Sequence, residues 1–153
     1  QSDPVMLQGS SYAFHDVSFN PVDPRLVVTA NQNEGVSLLD YRKLNKPIMK
    51  YGSKLKKKGS KISAMSAKFS PNGSQIFALG RRMNPVLYDI SSPKALVEFD
   101  HPGYFNSCTM KSGTFGAEDL VFSGNDFWNL KTLSGFKQYA FLHLINGWKM
   151  FIV

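Results

Sequence analysis

The chain says one thing twice. The first copy runs Phe14-His15-Asp16-Val17-Ser18-Phe19-Asn20-Pro21, then Leu26-Val27-Val28-Thr29-Ala30, then Val36-Ser37-Leu38-Leu39-Asp40-Tyr41-Arg42. The second runs Ala67-Lys68-Phe69-Ser70-Pro71-Asn72-Gly73, then Ile76-Phe77-Ala78-Leu79-Gly80, then Val86-Leu87-Tyr88-Asp89. The two Phe-x-Pro anchors stand 50 residues apart and the closing aspartates 49 apart. A period of this length marks a propeller or a solenoid, in which each unit buries its apolar faces against its neighbours. Such units build a surface that holds partners more often than they perform chemistry.

The apolar runs are short, β-branched or aromatic, and bounded by turn residues, which is a strand pattern. Strands are expected near 14–19, 26–30, 36–41 and 47–51 in the first unit. In the second they are expected near 62–69, 75–79, 85–90 and 95–99. Residues 20–25, with two prolines and an aspartate, read as a turn, and Pro71-Asn72-Gly73 closes the equivalent hairpin. A third unit starts near Phe105: Met110, Gly113 and Phe115 fall where Phe14, Val17 and Phe19 fall, and residues 120–124 give its second strand. The pattern then stops, with no third strand ending in Asp. The expected organisation is a lead-in (1–12), a blade (13–52), a Lys-rich loop (53–61), a blade (62–103), a partial blade (104–125) and a divergent apolar tail (126–153). In that tail 11 of the 15 residues from Tyr139 to Val153 are apolar, and Asn146-Gly147 suits a hairpin turn. Three readings of it stand: a strand pair on the last blade, non-native sequence from a truncated or misspliced gene, or an amphipathic anchor.

Composition narrows the function. The 18 Lys+Arg against 11 Asp+Glu give +7, which favours acidic partners without the charge density of a nucleic-acid arm. Cys108 is the single cysteine, so neither an internal disulfide nor a multi-cysteine metal site can form, which suits a reducing intracellular compartment. No stretch reaches the roughly 18 uncharged apolar residues of a membrane helix, and no membrane partner is expected. The chain begins at Gln1, without an initiator methionine or a secretory segment, and reads as a piece of something longer. His15, His101 and His143 are scattered, no phosphate-cradling glycine loop is present, and adjacent pairs such as His15-Asp16 are expected to point to opposite faces of a strand. No catalysis, cofactor or metal is expected.

Four-stranded units with Phe-x-Pro after the first strand and Asp closing the third resemble WD-repeat propeller blades. The expected fold is therefore all-β, a partial WD-repeat β-propeller of about two and a half blades. Phe19, Phe69 and Phe115 would fill the space between adjacent sheets, and the aspartates would tie the ends of the third strands to their neighbours. The likeness is closer still in His15-Asp16-Val17-x-Phe19-Asn20-Pro21, Pro24-Arg25-Leu26, Glu34-Gly35-Val36, Asp40-x-Arg42-Lys43, Pro85-Val86-Leu87-Tyr88-Asp89-Ile90 and Gly103 to Ser112. These resemble one branch of WD-repeat proteins, that of the fifth cullin-4-associated factor, whose members are substrate receptors of cullin-4 RING ubiquitin ligases. The likeness covers about residues 13–124.

The resemblance implies a non-catalytic module inside the cell, in nucleus, cytoplasm or both. Its expected partners are the ligase's adaptor, the damage-specific DNA-binding protein, and a substrate protein of unknown identity. Receptors of this class dock through a Trp-Asp-x-Arg element at the end of a third strand. Here that element is Leu39-Asp40-Tyr41-Arg42, with Leu39 in place of the Trp. In the second unit Tyr88-Asp89-Ile90-Ser91 lacks the arginine. Basic residues offered to other partners are Lys56, Lys57 and Lys58, within a run that also holds Lys54 and Lys61, and Arg81 and Arg82 in a tip loop. Lysines without interleaved aromatics attract phosphate but do not stack bases, so nucleic acid is not an expected partner. The alternative reading is a basic WD-repeat scaffold in an RNA or chromatin assembly, with the lysine loop as its contact.

Overall fold

A computed structural model of the chain describes residues 13–52, 63–100, 104–107, 111–116 and 120–124, and the backbone of 141–145 and 148–152. The first unit is a sheet in the order β1 (Phe14–Phe19), β2 (Leu26–Asn31), β3 (Gly35–Asp40) and β4 (Met49–Tyr51), all neighbours antiparallel. The second repeats it with β5 (Ala64–Phe69), β6 (Gln75–Gly80), β7 (Val86–Asp89) and β8 (Ala95–Glu98). The eight expected strands are all present, with ends moved by a residue or two. A bulge near the start of the first strand recurs in both sheets, between Phe14 and Asp16 and between Ala64 and Ser66. The repeat therefore extends to the irregularities.

The short turns follow from their side chains. Asn31 Oδ1 accepts from the amides of Asn33 and Glu34, and Gly35 leaves that turn at a φ of 81°. Asn72 Oδ1 accepts from Ser74 N at 3.1 Å and from the Ser70 and Ser74 hydroxyls, and Gly73 takes a φ of 70°. Gly73 also admits its neighbour: a Cβ there would stand 2.4 Å from Asn20 Oδ1.

Two apolar layers lie between sheets. The first sheet gives Val28, Ala30, Val36, Leu38 and Tyr51 to a layer shared with Ala67, Phe69, Ile76, Ala78, Val86 and Tyr88 of the second. Tyr51 and Tyr88 meet at 5.1 Å between ring centroids, and the Tyr51 hydroxyl donates to the Ile90 carbonyl at 2.7 Å. The second layer joins Phe77, Leu79, Leu87, Val97 and Phe99 to Tyr104 and Val121, with Phe77 edge-on to both Phe99 and Phe115 at 6.0 Å. Each buried side chain of this size is worth about 1.5–3 kcal/mol.

Phe69 is buried, and Phe115 packs on the second layer, as expected. Phe19 is not an inter-sheet filler: it is 62% exposed, and Phe14 and Val17 are exposed beside it. Phe69 is covered because the first sheet lies against its side of β5. Among the described residues no sheet lies against the corresponding side of β1.

The first strands also form a polar seam. Asp16 accepts from Ser66 Oγ (2.8 Å), Ala67 N (3.2 Å) and Lys68 Nζ (2.7 Å), and His15 Nδ1 donates to the Ala64 carbonyl at 2.9 Å. Ser66 Oγ in turn accepts from Gly113 N of β9 (Gly113–Phe115). His15 and Asp16 thus both reach β5, where simple alternation sets them on opposite faces. The bulge at this point breaks the alternation.

The third sheet departs from the repeat. Its order is β11 (Phe141–Ile145), β12 (Trp148–Ile152), β10 (Leu120–Ser123), β9. The tail forms an antiparallel hairpin with Ile145 opposite Trp148 across Asn146-Gly147, and β12 runs parallel to β10. The strand-pair reading of the tail describes its backbone. A parallel neighbour needs a long crossover, and 17 residues separate Ser123 from Phe141. No helix among the described residues is long and apolar enough to cross a membrane.

Candidate functional site

In a four-stranded meander the first-to-second and third-to-fourth connections lie at one end of the strands. The second-to-third connection and the exit to the next unit lie at the other. Leu39-Asp40-Tyr41-Arg42 is at the first of these rims. Leu39 is buried at 6% exposure, which makes it a packing position, while Tyr41 is half exposed. Arg42 folds back on Asp40: its amide donates to Oδ1 at 3.0 Å, Nε to Oδ1 at 2.9 Å and Nη2 to Oδ2 at 2.6 Å. The fork holds the Asp40 carboxyl well below the usual carboxylate range, and the carboxylate raises the Arg42 guanidinium in return. Arg42 remains 53% exposed and Asp40 only 18%. A guanidinium has five N–H donors. Two are given to Asp40, so the Nη1 group and the second Nη2 hydrogen face outward with no further partner among the described residues.

Asp40 and Asp89 do not tie their strands to neighbours by their side chains, as the sequence suggested. Each caps its own turn, Asp40 through the Arg42 amide and Asp89 through the Ser91 amide at 2.8 Å. The tie is made by the backbone of the next residue, Tyr41 N to the Arg25 carbonyl and Ile90 N to the Ser74 carbonyl, both at 2.9 Å. A short residue two places on is enough for such a cap.

Arg25 is what the sequence reading passed over. Its amide donates to Asp23 Oδ1 at 3.1 Å, Nε to Oδ1 at 2.8 Å and Nη2 to Oδ2 at 2.7 Å, atom for atom the arrangement of Arg42 on Asp40. The pairing lowers Asp23 and raises Arg25. The signal was the spacing Asp-x-Arg in both loops; what hid it was that the loops meet only once the sheet has formed.

Arg81 and Arg82 sit at the opposite rim, between β6 and β7. Both are exposed, and both also fasten the next crossover: Arg81 Nε donates to the Ser107 carbonyl and Arg82 N to the Asn106 carbonyl, each at 2.6 Å. Arg82 takes a left-handed φ of 55°, uncommon for a residue with a side chain. Phe105 is exposed beside them. Lys54, Lys56, Lys57, Lys58, Lys61 and Cys108 lie outside the described residues. No cluster of His, Cys, Asp or Glu suited to a metal occurs among the described residues.

Repeated four-stranded sheets with this register, packed face to face about a seam of first strands, define a partial WD-repeat propeller. No protein-family model matches the chain. It is a WD-repeat protein related to DDB1- and CUL4-associated factor 5. The Homo sapiens protein of that name is 48% identical over 130 residues, 84% of this chain, and the Mus musculus protein matches to the same extent. The chain spans 13% of the length of these relatives.

Proposed function

We propose that this chain is part of a substrate receptor of a cullin-4 RING ubiquitin ligase, and that it docks on the adaptor DDB1 through the rim that carries Asp40 and Arg42. The identity with a protein named as a DDB1- and CUL4-associated factor carries the reading. The fork supports its location. A planar guanidinium held by its own carboxylate presents directional donors to acidic or carbonyl-lined surfaces, and less rotamer freedom is lost on binding. Leu39, at the position of the family's Trp, is buried. The chemistry of ubiquitin transfer belongs to other subunits, and the chain works inside the cell, in the nucleus, the cytoplasm or both. The opposite rim, with Arg81 and Arg82, faces the substrate protein.

The test is capture of purified DDB1 by the full-length gene product, with Arg42→Ala beside it. Capture by the wild type and loss on substitution supports the reading. A folded protein that captures no DDB1 refutes it.

A further inference from the structure

The two complete blades contain an internal control. At the connection between first and second strands, Asp23-Pro24-Arg25 in the first blade corresponds to Asn72-Gly73-Ser74 in the second. At the connection between third and fourth strands, Asp40-Tyr41-Arg42 corresponds to Asp89-Ile90-Ser91. All four make the same turn, a side-chain oxygen accepting from the amide two residues on, at 2.8–3.1 Å. The backbone bond that joins the two loops is also the same, at 2.9 Å in each blade. The second blade completes both turns with serine. Arginine is therefore not required by the turn at either place, yet the first blade has it at both, using two of the chain's four arginines.

The two forks are neighbours. Tyr41 N bonds the Arg25 carbonyl, which sets the Asp23–Arg25 loop directly against the start of the Asp40–Arg42 loop. The ion pairs feel one another: Arg42 contributes to lowering Asp23, Arg25 contributes to lowering Asp40, and the guanidinium of Arg42 lowers that of Arg25. Arg25 and Arg42 are 55% and 53% exposed. Packing therefore does not explain either side chain, and two cations placed side by side repel.

We infer that Asp23–Arg25 is a second clamp of the docking rim, and that the partner is gripped by two parallel guanidinium forks. The inference rests on the docking reading above and extends it. Each fork offers its outer Nη edge while its inner edge is satisfied by its own aspartate. The matching surface carries two acceptor groups, carboxylates or turn carbonyls, set side by side at the spacing of adjacent loops. One arginine reads charge; two fixed forks also read orientation, since both bidentate contacts form only in one approach. Asn20 supports the second clamp by accepting from the amides of Val22 and Asp23, which fixes the loop before docking.

The experiment measures DDB1 affinity of the full-length gene product carrying Arg25→Ser, Arg25→Lys, Arg42→Ser or both serine changes. Serine reproduces the turn of the second blade, so the fold is kept; an unchanged melting temperature verifies this. Arg25→Ser is expected to weaken binding about ten-fold or more, the loss typical of an arginine anchor at an interface. Arg25→Lys keeps the charge and loses the fork, and is expected to restore only a minor part of the affinity. Wild-type affinity in Arg25→Ser with lost affinity in Arg42→Ser overturns the second clamp and leaves the docking reading intact. Wild-type affinity in both single variants and in the double overturns both.

Discussion

Asn20 links the fold to the rim that carries Arg25 and Arg42, and its replacement tests that link. Its side chain is buried at 4% exposure. Nδ2 donates to the Gly73 carbonyl of the second blade at 2.8 Å, while Oδ1 accepts from Val22 N at 2.9 Å and Asp23 N at 3.0 Å. Asn20→Ala leaves a buried carbonyl unpaired, at about 1–3 kcal/mol, and removes the acceptor of two part-buried amides, at about 0.5–1.5 kcal/mol each. The loss is then about 2–6 kcal/mol, and at about 2–4 °C per kcal/mol for a domain of this size the melting temperature falls by about 4 °C at least. Asn20→Asp separates the two roles. A carboxylate still accepts from both amides, but its second oxygen confronts the Gly73 carbonyl, so the loop holds while the bond between blades is lost. Thermal melting monitored by circular dichroism reads the stability. Amide exchange at Val22 and Asp23 reads the loop, slow in the wild type and in Asn20→Asp and fast in Asn20→Ala. A melting temperature within about 1 °C of wild type for both variants would refute the reasoning.

Three further outcomes follow from the same contacts. Phe69→Ala destabilises by about 3–5 kcal/mol, whereas its counterpart Phe19→Ala, at a site 62% exposed, stays within about 0.5 kcal/mol; urea unfolding of the pair checks the contrast. Gly113→Ala places a Cβ 2.6 Å from Phe77 Cε1 and 3.2 Å from Leu79 Cδ1, which costs about 1–3 kcal/mol by overpacking, and Phe77→Leu in the same chain recovers part of that, as a double-mutant cycle would reveal. Burial pushes the Tyr88 hydroxyl up to about 12 and Tyr51 higher still. The folded state therefore holds those protons more tightly than the unfolded one, whose tyrosines ionise near pH 10. Their stabilising contribution is complete below that pH and is lost as pH rises through about 12, so alkaline unfolding with a delayed tyrosinate absorbance is expected.

Much of the fold was legible because blades are specified locally. Alternation and turn chemistry gave β1 to β8 to within a residue or two, and Pro71-Asn72-Gly73 marked its turn from local residue chemistry alone. The failures involve what lies beyond a unit. Phe19 and Phe69 have the same local sequence signature, and only the presence or absence of a neighbouring sheet makes one exposed and the other buried. The parallel pairing of β12 with β10 joins segments separated by a long crossover, and no local pattern encodes it. Arg42 was legible through a motif. Arg25 was not, because its loop meets the Arg42 loop by topology, and the repeated Asp-x-Arg gains meaning only when both loops are known to share a rim. Arg81 was legible as an exposed cation, but its bond to the Ser107 carbonyl spans 26 positions.

The central claim is that one rim of the first blade, and not the opposite one, meets the adaptor. Tyr41 and Phe105 allow a matched comparison, being 50% and 49% exposed on opposite rims. A photo-crosslinking amino acid is placed at one or the other position of the full-length gene product, which is then irradiated with purified DDB1. The account predicts a DDB1 adduct from position 41 and none from position 105. An adduct from position 105 with none from position 41 would contradict it.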